Sequence, residues 1–163
     1  MRLFKYCFLN ICICLFCACS KQHAFYINQD LPKSVWTYDN ILKYEFDVAD
    51  TNDLYDLNLD INYKTNFPNQ NVYVNIYTGQ HSDNMKKTTL SLDLSNNLGI
   101  WKGECNVNAC NYILPLQKSI FFEQVGRHLF WVEQYSRTDS LKGISSISLV
   151  GDIVGNKRID NKQ

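Results

Sequence analysis

The sequence has few of the residues that interrupt regular structure, with only seven glycines and three prolines in 163 residues. It also has no net charge, because 16 basic side chains balance 16 acidic ones. The scarcity of glycine and proline excludes collagen-like and linker-like proteins. Without a strong positive field we expect no nucleic-acid partner. With 45% hydrophobic and 13% aromatic residues, the chain can bury the core of one folded domain.

Motifs that would supply catalytic chemistry are also missing. The sequence contains no Gly-Xaa-Ser-Xaa-Gly elbow, no His-Glu-Xaa-Xaa-His pair and no glycine-rich phosphate loop. The three histidines, His23, His81 and His128, are not spaced as metal ligands. Asp56 and Asp60 would share a strand face as a glycosidase-like pair, but a solvated face suits them better, since nothing nearby would raise an acid's pKa. We therefore expect no enzyme activity and no catalytic, cofactor-binding or metal-binding residues.

The first twenty residues are typical of an export signal. Arg2 and Lys5 precede an apolar stretch at 6–18, and the sequence turns polar at Ser20. A stretch of thirteen residues is too short to span a bilayer, which takes about 20 helical residues. The stretch therefore predicts a cleaved signal rather than a permanent membrane helix.

Five of the seven cysteines lie in or directly after this stretch, and the segment 15–20 resembles a bacterial lipoprotein processing site. In such sites a small residue precedes the cysteine that is acylated. Cys19 follows Ala18, whereas its rival Cys17 follows the bulky Phe16. We predict lipid attachment at Cys19, where several acyl chains would anchor the protein to a membrane. The alternative is an ordinary cleaved signal peptide that releases a soluble protein.

Export would place the other two cysteines, Cys105 and Cys110, in an oxidising compartment. Four residues separate them, which favours a local disulfide; a zinc site or two free thiols are the alternatives. A loop this short constrains little of the unfolded chain. The bond would therefore stabilise the fold by less than the roughly 3 kcal/mol expected for a 15-residue loop.

The remaining sequence has the two-residue period of β-strands, most clearly at Tyr55–Tyr63, where Leu57, Leu59 and Ile61 alternate with Asp and Asn. Their apolar side should be covered by strands 41–48 and 128–135, either as neighbours or across two sheets. The eight predicted strands are 41–48, 55–63, 72–77, 88–94, 100–103, 120–122, 128–135 and 144–150.

Turn-forming clusters separate these strands, and no stretch has a convincing helical pattern. We predict an all-β fold, an antiparallel two-sheet β-sandwich of about eight strands preceded by a lipoprotein signal peptide. The predicted divisions are a signal peptide at 1–18, a lipidated N-terminus and tether at 19–30, the β-sandwich domain at 31–151 and a polar C-terminal tail at 152–163.

One polar group, Glu133, Gln134 and Arg137, lies in and after a predicted strand. Alternation puts Gln134 on the buried side and Glu133 on the other side with Tyr135. Arg137 could then pair with Glu133 through a charge-assisted bond. The group is either a structural strand terminus or an interaction site. The aromatic residues Tyr73, Tyr77, Trp101 and Trp131 could stack on sugars, although a core role fits β-strand aromatics better.

Several segments together resemble the GldH gliding-motility lipoprotein family of the Bacteroidetes, over roughly residues 19–151. Besides the lipoprotein start, they are Trp36 with 44–48, the strand 55–61, Phe67-Pro68 with 71–74, the turn Gly99-Ile-Trp-Lys-Gly103, the run 126–137 and the close at 141–144. The chain departs from that pattern at Tyr63-Lys64, where an Arg is usual, and at His128, where a Tyr is common. The Cys105 and Cys110 pair is not part of the pattern.

The resemblance implies a non-enzymatic lipoprotein of the cell envelope, held in the outer membrane and facing the periplasm through the lipid on Cys19. It implies protein partners in a gliding or associated secretion complex, and no cofactor or small-molecule ligand. It does not imply that the source organism glides. The alternative is a glycan-binding envelope lipoprotein, which an exposed platform of aromatic rings on one sheet face would favour; buried tryptophans would favour the scaffold role.

Overall fold

A computed structural model of the chain describes residues 23–160. Within that range the protein is almost entirely β-structure, and every strand pairing is antiparallel. The predicted signal peptide and Cys19 lie outside the described residues. The strands are β1 (Phe25–Asp30), β2 (Val35–Thr37), β3 (Leu42–Val48), β4 (Asp53–Lys64), β5 (Asn71–Gly79), β6 (Lys86–Asp93), β7 (Glu104–Cys105), β8 (Ala109–Ile120), β9 (Gly126–Gln134), β10 (Ser140–Lys142) and β11 (Ile144–Asn156), with a 3-10 turn at Pro32–Ser34 and a short helix α1 (Lys157–Asp160).

Two sheets form the sandwich. The five-stranded sheet has the order β1-β11-β4-β8-β7, and the four-stranded sheet has the order β3-β9-β5-β6. A small third sheet pairs β10 with β2 and buries Trp36, whose Nε1 donates to the backbone oxygen of Asn40 at 2.8 Å. One continuous hydrophobic core draws on both large sheets. The predicted all-β sandwich is therefore confirmed.

Strand β4 shows the alternation of buried and less buried residues that its sequence predicts. Leu57, Leu59 and Ile61 are all buried, at 3%, 0% and 1% exposure. The strands expected to cover this face, β3 and β9, lie in the opposite sheet, so the cover comes from across the sandwich. One bond joins the sheets through the core, where the Tyr44 hydroxyl donates to the backbone oxygen of Ile147 at 2.8 Å. Burial raises the pKa of Tyr44 well above its usual value.

Two predicted boundaries and one predicted strand differ from the structure. The range 19–30, predicted as a tether, contains strand β1, and all six residues of this strand pair with β11. The ring of Phe25 on β1 stacks on that of Phe46, with 4.2 Å between the two centroids. Strand β11 continues past residue 151 to Asn156 because β4 is long enough to pair with it there. The range 100–103 forms only an isolated bridge at Trp101 rather than a strand.

Strand β8 is the largest element that the sequence prediction missed, since only its last residue falls in the predicted strand 120–122. Pro115 lies in its middle, and proline argues against a strand inside a sheet because it cannot donate to the ladder. Here β8 pairs with β4 along its length, while β7 covers only its first residues on the other side. Pro115 therefore lies on an open edge, where proline is tolerated.

The loops gather at two ends of the sandwich. Strand β4 spans 12 residues, which at about 3.3 Å per residue separates the ends by roughly 40 Å. The N-terminal end holds the start of β1, the loops 49–52, 80–85 and 121–125, and the end of β11. The distal end holds the loops 65–70, 94–103 and 135–139. Residue 23 is fixed at the N-terminal end, where the His23 Nδ1 lies 2.6 Å from Asp152 Oδ1.

No helix among the described residues has the length and apolar character needed to cross a membrane.

Candidate functional site: a tyrosine-lined groove at the distal end

An open groove of about 640 Å³ lies at the distal end, where β9 ends and β5 begins. Its lining includes the polar group that the sequence singled out, together with three tyrosines. The lining residues are Tyr38, Tyr73, Glu133, Gln134, Tyr135, Ser136 and Arg137. The groove thus combines exposed aromatic rings with a carboxylate, an amide and a guanidinium.

The strand pairing brings two of the tyrosines together. The Tyr135 backbone N–H donates to the backbone oxygen of Tyr73 at 2.8 Å, so the two residues are neighbours on β5 and the end of β9. Both point away from the core, with Tyr73 50% and Tyr135 58% exposed. The third ring reaches in from the loop after β2, where the Tyr38 hydroxyl donates to the backbone oxygen of Ser136. These contacts fix the backbone of the groove wall.

Glu133 supplies a carboxylate held in one orientation. Its Oε2 accepts hydrogen bonds from Tyr77 Oη at 2.7 Å and from Asn75 Nδ2 at 2.8 Å. Asn75 lies opposite Glu133 in the sheet register and is 1% exposed, and its Oδ1 accepts a bond from the Thr89 hydroxyl at 2.8 Å. A polar ladder therefore crosses strands β9, β5 and β6 on the outer face of the four-stranded sheet.

This ladder sets the charge of the site. The hydrogen bond from Tyr77 lowers the pKa of the Glu133 carboxyl; the Asn75 bond and the positive charge of Lys87 act in the same direction, and burial opposes them. The same bond to the carboxylate raises the pKa of Tyr77. At neutral pH the groove therefore presents an ionised Glu133, which the protonated hydroxyl of Tyr77 holds from outside the groove lining.

Lysine and tryptophan extend the aromatic surface beyond the groove. The Lys87 Nζ lies 5.5 Å from the ring centroid of Tyr77 and 5.6 Å from that of Tyr135. On the neighbouring strands, the Lys43 Nζ lies 4.5 Å from the ring of Trp131, which is itself opposite Tyr77 in register. Such cation–π contacts hold the rings in place on an otherwise polar sheet face.

Gln134 has a structural role, whereas Arg137 is exposed at the groove. Gln134 is 1% exposed, in agreement with its predicted inward position, and it fixes the loop that follows by donating to Thr138 O at 2.9 Å and accepting from Ser136 N at 2.7 Å. The ion pair expected between Arg137 and Glu133 does not form. Asn75 and Tyr77 already bond the carboxylate, and the chain has left the sheet before residue 137, which leaves the guanidinium exposed on the rim of the groove.

The Cys105 and Cys110 pair lies in the five-stranded sheet. Cys105 and Cys110 are opposite each other in the register of β7 and β8, and their sulfurs are joined at 1.97 Å. Asn106 shapes the turn between them by accepting from the backbone N–H groups of Asn108 and Ala109. The bridge closes a hairpin and does not line the groove.

The two aspartates considered as a carboxylate pair have separate partners. Asp56 Oδ1 accepts from the Ser119 backbone N–H at 2.8 Å, whereas Asp60 Oδ2 accepts from the Tyr26 hydroxyl at 3.2 Å. Across residues 23–160 no three histidine, cysteine, aspartate or glutamate side chains come together as a metal site. The chemistry of the described residues therefore centres on the tyrosine-lined groove.

The profile of the GldH lipoprotein family matches residues 23–150, which is most of the chain and nearly all of the sandwich. The chain belongs to the GldH lipoprotein family. No curated protein and no solved structure matches it. Members of this family are lipoproteins of the gliding-motility type, and membership therefore implies attachment to a membrane of the cell envelope. The match includes every residue of the groove.

Sequence reasoning found Glu133, Gln134 and Arg137 but missed Tyr38 and Asn75. The pairing of Asn75 with Glu133 depends on the register between β5 and β9, which are 58 residues apart in this contact. Of the aromatic residues, Trp36 is fully buried, and Trp101 and Trp131 are half-buried. The core role expected for Tyr73, Tyr77 and Trp131 is wrong, because their strands turn all three onto the outer face of the four-stranded sheet, whereas Trp101 packs against the core.

Proposed function

We propose that this protein is a non-enzymatic interaction module of a gliding-motility or associated secretion machinery, anchored through acyl chains on Cys19 to the periplasmic face of the outer membrane. The family match supports the setting. The observation that carries the interaction role is the groove between Tyr73, Glu133 and Tyr135, which lies at the end of the sandwich farthest from the tether.

The side chains of the groove suit a protein partner. Tyrosine and arginine are the residues that contribute most often to the energetic centres of interfaces, because they bury large flat surfaces and still form hydrogen bonds. Tyr73 and Tyr135 offer such surfaces in a fixed arrangement, since their backbones are bonded to each other. Glu133 needs no reorganisation to accept a hydrogen bond, because Asn75 and Tyr77 already hold it.

Affinity purification of the tagged lipoprotein from its native membranes, after mild cross-linking, tests this role. Wild-type protein and Tyr26→Ala should retain a specific envelope protein, while Tyr135→Ala should lose it. Tyr26 is the matched control, because it is a tyrosine of similar exposure, 51% against 58%, on the outer face of the opposite sheet. Equal recovery of partners by all three proteins would refute the groove as the interaction site.

The second candidate function is glycan binding by the same groove. The pair of exposed rings, Tyr73 and Tyr135, beside an ionised carboxylate is the observation that favours it, since sugars stack on aromatic faces and bond to fixed acceptors. Co-sedimentation with purified envelope polysaccharide separates the two functions. Retention that Tyr135→Ala abolishes, with no protein recovered in the affinity experiment, would favour the glycan.

A further inference from the structure

Four large apolar side chains are exposed at the N-terminal end of the sandwich. They are Phe121 at 49%, Val125 at 58%, Ile153 at 52% and Val154 at 50% exposure, and we call them the N-terminal rim. Phe121 and Val125 belong to the loop 121–125 between β8 and β9. Ile153 and Val154 lie near the C-terminal end of strand β11. Exposed apolar residues gathered from separate segments at one end of a domain mark an interaction surface.

Sheet register places these segments side by side. Tyr55 on β4 pairs with Ile120 on one side and with Ile153 on the other, so the ends of β8 and β11 flank the start of β4. The short helix α1 then crosses toward the loop, where the Lys157 Nζ lies over the ring of Phe121. These pairings place all four side chains at the same end of the sandwich, the end that also holds residue 23.

The chain that joins this end to Cys19 is short. Only residues 20–22 separate Cys19 from His23, and four fully extended residues reach at most about 14 Å. His23 is itself fixed at the N-terminal end by its contact with Asp152. An acylated Cys19 would therefore hold the rim within reach of the lipid headgroups. The distal groove would lie roughly 25–30 Å further away, because seven to nine residues of β9 separate Gly126 from Glu133 and Tyr135.

The charges around the rim do not select a strongly charged partner. Basic and acidic residues are interspersed in the segments that meet there, with Lys118, Lys157 and Arg158 on one side of the balance and Asp50, Asp53, Asp56 and Glu123 on the other. A surface that is apolar, nearly neutral and confined to the membrane-proximal end matches the boundary between lipid headgroups and acyl chains, where amphipathic surfaces settle about 5–10 Å deep.

We propose that the N-terminal rim docks into the lipid surface that carries the anchor, so that the sandwich stands on the membrane with its tyrosine-lined groove facing away. This inference rests on the acylation of Cys19 proposed above. The acyl chains supply the attachment, and the rim supplies the orientation, because attachment through a single residue does not by itself fix which face of the domain meets the lipid.

Site-specific fluorescence on the full acylated protein tests the orientation. Val125→Cys, Val154→Cys and Leu98→Cys are each labelled with the environment-sensitive dye NBD and reconstituted into phosphatidylcholine vesicles that carry a doxyl spin label on the acyl chain. Leu98 is the matched control, because it is an exposed apolar residue, at 83%, in a distal loop. Wild-type protein treated with the dye gives the background.

We expect the spin-labelled lipid to quench the dye at 125 and 154 at least about twofold more than at 98, since the quencher acts only within the bilayer interface. Vesicle flotation is measured on the same samples. Protein that floats but shows no quenching at 125 and 154, or equal quenching at all three positions, overturns the docking and leaves the anchor intact. Protein that fails to float overturns both the docking and the proposed anchor.

Discussion

Replacing Leu59 with alanine should cost the fold 2–5 kcal/mol, about the range for truncating a buried leucine. Leu59 is 0% exposed at the centre of β4, the middle strand of the five-stranded sheet, and it pairs with Leu149 on one side and Leu114 on the other. Its neighbours are held in register by two ladders, so the cavity cannot readily collapse. We therefore expect the upper half of that range, out of a total stability of about 5–15 kcal/mol.

Urea unfolding of the purified lipoprotein in a mild detergent, followed by tryptophan fluorescence, gives the free energy of unfolding. The matched control is Asp60→Asn on the outer face of the same strand, which keeps an oxygen for the Tyr26 hydroxyl and should change stability by less than about 0.5 kcal/mol. Leu59→Asp should prevent folding, because it would bury an unpaired charge. If Leu59→Ala and Asp60→Asn lowered the free energy of unfolding by similar amounts, the assignment of one buried and one outer face to β4 would be refuted.

Further predictions concern the disulfide, the carboxylate and the glycines. Intact mass with and without reductant and alkylator should show Cys105 and Cys110 bonded to each other, and reduction should cost less than about 3 kcal/mol; two alkylated thiols in the unreduced sample would contradict this. Because the folded-state pKa of Glu133 is lowered, its contribution is present above the unfolded pKa and is lost as pH falls through the folded value. Glu133→Gln should therefore be less stable than wild type in melts at pH 7. The difference should begin to shrink as the pH falls below the ordinary Glu pKa of about 4.3, and it should be lost only once the pH is below the lowered folded value. Gly103→Ala should destabilise more than Gly126→Ala in the same melts. Both glycines have positive φ, but a Cβ at 103 would clash with the backbone oxygen of Asn111 in β8, whereas one at 126 would meet nothing; equal losses of stability would show that only backbone strain matters.

The strands that follow a strict two-residue period were predictable, because one face of each is buried. Strands β3 and β4 alternate buried and less buried residues as their sequences do. Strand β8 was missed outside its last residue, and only the sheet order shows that Pro115 in its middle lies on an open edge, where a proline is compatible with a strand. Strand β1 was missed because its polar alternate residues resemble a tether until β11 is present to pair with it.

The groove was only partly predictable for the same reason. Glu133, Gln134 and Arg137 stood out as a polar cluster in one strand and the loop after it, and alternation placed Gln134 correctly. The partners of Glu133 come from β5, and the rings of the groove come from three separate segments. Local sequence sets which face a residue takes, whereas the contacts between strands depend on a register that no local pattern encodes.

The most direct test of the central claim, a sandwich tethered to a membrane at Cys19, is the mass of the N-terminal peptide from protein extracted from native membranes. We expect a peptide that begins at Cys19 and carries a diacylglyceryl group, and a Cys19→Ser variant that lacks this modification and loses stable membrane association. An unmodified N-terminus, acylation of Cys17 instead, or a serine variant that still fractionates with membranes and carries acyl chains would contradict it.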